Sequence, residues 1–174
     1  MNRRRFLAAL ATAGSPSLAG CYALRPDRPP ADVREIPTIS TAGEPFGGDD
    51  GEVVTSHVVG PEFAPAVGEH RPHEVYLRNA TDVPRETEYR VVRWSGEQLL
   101  DAERSLSPGD RVRVVLRGPA NYSVVVRSDD LVGRLDVEQS SFDCNRSWST
   151  VAARDDRLTE TTIATQMGCG WAWP

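Results

Sequence analysis

His70-Arg71-Pro72-His73 is the one histidine cluster in a chain of 174 residues, with His57 the only other imidazole. Two imidazoles so close invite a metal reading. A helical zinc pair is unavailable, because Pro72 between the two histidines prevents a regular helix, and no third ligand stands nearby. A blue-copper site needs two His, a Cys and usually a Met gathered around a late loop. Met167 and Cys169 are close together, but no histidine follows residue 73. The cluster reads as a polar loop leading into a strand, and no metal ligands are assigned.

Nucleophilic chemistry finds no better footing. There is no Gly-x-Ser-x-Gly elbow. Cys169 lies between Gly168 and Gly170, a setting that could look like a nucleophile's, but a disulfide accounts for it more simply. Asp49-Asp50, Asp129-Asp130 and Asp155-Asp156 are paired carboxylates without the alternating ligand spacing of a calcium loop. Arg85, Arg90, Arg93, Arg111, Arg113, Arg117 and Arg127 recur along the strand-like segments. Cross-strand pairing with Asp and Glu is the expected use, with an anion-binding groove as the alternative. No catalytic residue and no cofactor are expected.

The clearest functional signal is an address. Arg3, Arg4 and Arg5 precede a short apolar run, Phe6 to Ala13, and small residues lead to Leu18-Ala19-Gly20-Cys21. A basic start, a short apolar centre and a small-residue cleavage site make an export signal. Leu-Ala-Gly-Cys resembles the lipobox of prokaryotic lipoproteins. That resemblance implies cleavage before Cys21 and a lipid on its sulfur, holding the protein at the outer face of the cytoplasmic membrane. The arginines followed by Phe6-Leu7 resemble a twin-arginine signal, although Asn2 and Ala8 depart from its usual flanks. With Cys21 committed to lipid, Cys144 and Cys169 remain. In an oxidising compartment an even remainder reads as one disulfide closing about 26 residues, contributing roughly 3 kcal/mol on the chain-entropy model.

Composition narrows the setting. The formal charge is −5, and losing a signal that carries three arginines and no acid leaves −8. All twenty basic residues are Arg. An acidic chain with Arg as its only cation resembles haloarchaeal proteins. The acidic balance argues against nucleic acid as a partner, since phosphate binding needs a basic face. Three of the four Asn residues open Asn-x-Ser/Thr triplets, at Asn79, Asn121 and Asn145. They are candidate glycan carriers of a surface protein, although Asn, Ser and Thr also gather in turns.

These features must be positioned by the elements between them. Residues 1–20 form the signal. Residues 21–50, with Pro26, Pro29, Pro30, Pro37, Pro45 and several glycines, read as a disordered tether. The alternative is an arm packed on the domain through Ile36, Ile39 and Phe46. From 51 to 174 the chain reads as one β domain. Its runs are Glu52–Val59, His73–Asn79, Thr87–Trp94, Arg111–Leu116, Tyr122–Arg127, Leu131–Val137, Ser147–Ala153 and Leu158–Ala164. Turn sequences separate them, with Pro108-Gly109 suited to the centre of a type II turn. This spacing predicts an all-β, antiparallel β-sandwich. The Tyr-Arg-Val-Val-Arg-Trp and Asn-Tyr-Ser-Val-Val-Val strands, with the Leu-Ser-Pro-Gly-Asp turn between them, resemble an immunoglobulin-like domain over residues 73–138. The resemblance implies Trp94 as a core tryptophan and Tyr122 as a corner tyrosine. Trp171 and Trp173 would cover an end of the sandwich or expose a contact patch.

The function expected is a non-catalytic binding or structural module, lipid-anchored through Cys21, with a protein or surface polymer as partner. The rival is a metal-handling or enzymatic accessory lipoprotein. A substrate-capture subunit of a transporter is disfavoured, because about 120 folded residues are too few for a two-lobed clamp.

Overall fold

Side chains that alternate between apolar and polar sort each strand into a face toward a partner layer and a face toward water. In the computed structural model, which describes residues 28–41, 51–60 and 70–165, this sorting produces two packed sheets. The elements are α1 (Ala31–Arg34), β1 (Ser40–Thr41), β2 (Val53–Val59), β3 (His73–Asn79), β4 (Arg85–Arg93), β5 (Gln98–Leu106), β6 (Arg111–Leu116), β7 (Tyr122–Ser128), β8 (Leu131–Val137), β9 (Ser147–Ala153) and β10 (Leu158–Ala164). One sheet runs β1-β10-β9-β3-β6-β2 and the other β5-β4-β7-β8. The protein is an all-β sandwich.

The core lies between the sheets. Val75, Leu77, Val112, Val114, Leu116 and Val151 meet Tyr89, Val91, Val124, Val126, Leu135 and Val137. Along β3 the burial alternates strictly, so one face carries Val75 and Leu77 inward while Glu74, Tyr76 and Arg78 turn outward. The turns obey their residues. Gly109 takes φ 86°, as the second centre of a type II turn requires, and Asp110 closes it by donating its N–H to Ser107 O at 3.0 Å. Asp129 takes φ 53° in the two-residue connection between Ser128 and Leu131, a left-handed value that Asp tolerates.

Four features depart from the sequence reading. The four-stranded sheet is wholly antiparallel, but the six-stranded sheet is mixed, with β1–β10, β2–β6 and β3–β9 parallel. Strands delivered by long connections across the sandwich, and not by hairpins, arrive in parallel. β5 was not anticipated. It is an edge strand, mostly exposed, and a register shift at Val91/Val92 interrupts the alternation that would have marked it. Asp101, Glu103 and Arg104 along β5 guard that edge against further pairing. Trp94 is half-buried at the end of β4, not a core residue, and donates its indole N–H to Ser123 Oγ at 3.1 Å.

The fourth departure concerns the tether. Over residues 28–41 the chain is a packed arm, the alternative reading. Val33 is buried with Val92 and Val125 on the outer face of the four-stranded sheet, with Ile36 against them. The arm then crosses the β8 edge, where Ile39 N–H donates to Arg134 O and Arg134 N–H donates to Pro37 O, each at 2.9 Å. Ile39 enters the main core, and β1 joins the opposite sheet beside β10. Two buried apolar residues, Val33 and Ile39, with the partly buried Ile36 and a short ladder, outweigh the Pro-rich composition that suggested an extended chain. Phe46 lies outside the described residues.

Candidate functional site

The histidines do not converge. His70 Nδ1 bonds Phe142 O on the loop before β9, and His57 Nε2 bonds Tyr89 OH at 2.9 Å beside β4. His73 points between the sheets, 1% exposed, with Nδ1 at 2.9 Å from Ser147 Oγ and Nε2 at 3.1 Å from Ser149 Oγ. Burial pushes the His73 pKa down to about 4, against a smaller opposing effect of the Glu74 carboxylate. No group of three His, Cys, Asp or Glu able to hold a metal occurs among the described residues.

Ser147 and Ser149 beside His73 have the residue types of a nucleophile and its base, a pairing that sequence inspection missed because 74 residues separate them. Their burial decides the role. Ser147 is 4% and Ser149 2% exposed, so a substrate carbonyl has no path to either hydroxyl. The pair holds β3 to β9, whose register places His73 opposite Ser147.

Asn79 closes β3 and is 1% exposed. Its amide NH₂ donates to Val83 O at 2.7 Å and Leu106 O at 2.8 Å, while Oδ1 accepts from Thr81 N–H at 3.0 Å and Thr81 Oγ at 2.7 Å. A glycan on this nitrogen is incompatible with the folded domain, which corrects the expectation for Asn79. Asn121 is half-buried and its Oδ1 accepts from Gln139 N–H at 2.7 Å. Asn145 sits on the turn before β9, with Nδ2 donating to Asp143 Oδ2 at 2.9 Å. The two differ from Asn79 in lying at the surface.

The arginines are distributed over separate faces and do not line one groove. Arg85 pairs with Asp129 at 3.0 Å, Arg93 with Glu97 at 2.7 Å, Arg113 with Glu74 at 2.6 Å and Arg127 with the cross-strand Glu88 at 3.5 Å. Arg90 reaches Asp32 of α1 at 3.7 Å. Arg111 donates to Gly51 O at 2.8 Å and lies over the Tyr76 ring, and Arg117 is also engaged. Arg134 was not singled out by sequence. It is 9% exposed, donates to Val33 O at 2.8 Å and Thr38 Oγ at 3.0 Å, and pairs with Asp136 at 3.1 Å. One guanidinium thereby holds the arm on β8.

Tyr122 is fully buried at the start of β7 and donates its hydroxyl back to Gly118 O at 2.9 Å, the corner geometry its position implied. Cys144 is half-buried on the turn before β9 and is engaged. Cys21, Cys169, Met167, Trp171 and Trp173 lie outside the described residues. No helix among the described residues is long and apolar enough to cross a membrane. No protein-family model matches the chain, and no curated protein matches it.

Proposed function

We propose that the chain is an exported lipoprotein, held at the outer face of the cytoplasmic membrane by a lipid on Cys21, which presents one immunoglobulin-like sandwich as a non-catalytic binding or structural module. The observation that carries the reading is Leu18-Ala19-Gly20-Cys21 behind three arginines and a short apolar run. Twin-arginine export and a haloarchaeal setting belong to the same proposal. They are supported by Arg3 and Arg4 before Phe6-Leu7 and by the absence of Lys from an acidic chain.

The strand order supports the immunoglobulin-like reading. β5-β4-β7-β8 forms one sheet while β3 and β6 are antiparallel neighbours in the other. That is the order in which such a domain lays C′-C-F-G over B-E, with Tyr122 at the start of the strand in the F position. β9, parallel to β3, is a departure from it. A Cys144–Cys169 disulfide is part of the proposal too. Thr165 donates its N–H to Arg146 O at 2.9 Å, so the end of β10 lies two residues from Cys144. The four residues on to Cys169 reach at most about 14 Å, ample to return to it. A protein or surface polymer is the partner class this module would take, with glycans on Asn121 and Asn145.

Mass spectrometry of membrane and soluble fractions tests the anchor. The expected result is a lipid-bearing peptide that begins at Cys21, and release of a Cys21→Ser protein to the soluble fraction. Equal membrane retention of both forms would refute it. Peptide mapping without reductant is expected to join the Cys144 and Cys169 peptides.

A further inference from the structure

His73, Ser149, Thr162 and Glu160 form an unbroken hydrogen-bond chain from the core to β10, where Thr162 is exposed and Glu160 half-buried. His73 Nε2 is 3.1 Å from Ser149 Oγ, Ser149 Oγ is 2.6 Å from Thr162 Oγ, and Thr162 Oγ is 2.8 Å from Glu160 Oε1. Counting protons along it gives a definite result. Ser147 gives its only hydroxyl proton to Ser141 O at 2.9 Å, so the 2.9 Å contact with His73 requires the proton on Nδ1 of the ring. Nε2 of a neutral His73 is then an acceptor. The three contacts from Nε2 to the Glu160 carboxyl need three protons. Ser149 and Thr162 supply one each. With Glu160 ionised, one contact sets two lone pairs against each other.

We propose that this chain is a one-proton site: it closes only when a proton beyond those of neutral His73 and ionised Glu160 is bound between the imidazole and the carboxyl. Two arrangements satisfy every contact. In one, Glu160 is the neutral acid, it donates to Thr162, Thr162 donates to Ser149, and Ser149 donates to Nε2. In the other, His73 is the imidazolium and each link reverses, ending on the Glu160 carboxylate. Shifting one proton along each link converts one arrangement into the other, and the total is unchanged.

The charges around the chain favour the first arrangement. Glu160 sits opposite Val151 on the inner side of its sheet, where its own burial is the largest effect and raises its pKa; the Thr162 hydroxyl opposes that rise, and Asp136 of β8 adds a smaller one to it. Arg134 of β8 is already paired with Asp136 at 3.1 Å. On the imidazole side Glu74 is the neighbouring charge, but it accepts from Arg113 and Tyr76, each at 2.6 Å, and Phe142 contributes only its ring. The bound proton therefore resides on Glu160. The chain couples β3, β9 and β10 to the acidity outside, and β10 is the strand on which β1 of the arm lies.

The test is a pH titration followed by NMR of the intact soluble domain, reading the His73 ring nitrogens and the Glu160 carboxyl carbon together. The expected result is a His73 ring protonated at Nδ1 throughout. Its Nε2 signal should move with the Glu160 carboxyl in one shared transition at a pH above the ordinary carboxylate range. Thr162→Val should uncouple the two, and the Glu160 midpoint should fall by at least about one pH unit, a tenfold change in proton affinity. Glu160→Gln, whose NH₂ supplies the missing proton permanently, should keep the fold and abolish the shared transition. Ionisation of Glu160 with no accompanying change at His73 Nε2 in the wild-type protein, or an Nε2-protonated neutral ring, would overturn the proposal; protonation of the ring itself near pH 4 is a second, later event. If Thr162→Val does not fold, the Glu160→Gln comparison decides alone.

Discussion

Asn79 ties several backbone segments together at its end of the sandwich. Its side chain bonds Val83 O and Leu106 O, its N–H donates to Asp110 O at 3.1 Å, and its own carbonyl accepts from Gly109 N–H at 2.9 Å. Asn79→Ala leaves buried carbonyls without donors and should lower stability by about 3 kcal/mol, read from a urea transition. Asn79→Asp should do at least as much harm, because a carboxylate would face two carbonyl oxygens. The triplet Asn79-Ala80-Thr81 shows how a sequence signal is ambiguous at this scale. A glycan acceptor and a side-chain turn both want Thr two residues after Asn, and only burial separates them. Tyr122→Phe removes one buried bond and should cost roughly 1 kcal/mol. His73 sets a pH dependence. Its folded pKa of about 4 lies below the ordinary 6.5, so the unfolded chain binds more protons between those values. Its contribution is complete above pH 6.5 and lost as the pH falls toward 4. Glu160, with its raised pKa, acts with the opposite sign: its contribution is present below its ordinary value and lost as the pH rises through the folded one. In Glu160→Gln only the His73 limb remains, and the melting temperature should fall steadily on acidification through that window.

At the level of elements, all eight runs read from sequence became strands, including β7 and β8, which bury most of their residues and do not alternate strictly, whereas β5 went unread. β3, β6, β8, β9 and β10 coincide with their sequence runs because each buries one face against the opposite sheet. β5 was missed because edge strands bury little and carry charge on both faces. The arm was ambiguous because composition weighs every Pro equally, whereas docking depends on a few residues such as Val33 and Ile39. Its slot is built by an absence of side chain. A Cβ on Gly133 of β8 would lie 2.5 Å from Ile39 Cγ1 and 3.0 Å from Leu158 Cδ1. Gly133→Ala should therefore displace Ile39. Limited trypsin digestion should then cut after Arg34 much faster than in the wild-type protein, with the sandwich left intact. Ile39→Ala, which empties the slot, should cost about 2–4 kcal/mol and expose the same bond.

For the whole molecule, the sandwich was readable because turns recur at regular intervals between β-type runs. The layout of its mixed sheet was not readable, since the parallel placement of β2 and β9 depends on long-range connections that local patterns do not encode. The site-level expectations fared by their burial. His73, considered and not assigned as a ligand, and Asn79, read as a glycan carrier, are both buried and structural. Glycopeptide mapping of protein purified from its native membrane should find sugar on Asn145 or Asn121 and none on Asn79. Occupancy at Asn79 in folded protein would contradict the clamp that Asn79 makes.

The packed arm also sets a leash length. Were residues 21–50 free, a lipid on Cys21 would let the domain roam to roughly 100 Å from the bilayer. With the described chain beginning at Arg28 beside the packed arm, only six residues would lie between a lipidated Cys21 and the domain, a reach of at most about 25 Å. That is less than the length of one strand plus its turns. If the proposed anchor holds, a sandwich on such a leash would keep one side turned to the membrane, the side carrying α1 and the β8 edge. The β2 and β5 edges, at the far ends of the two sheets, are left to face whatever approaches from outside.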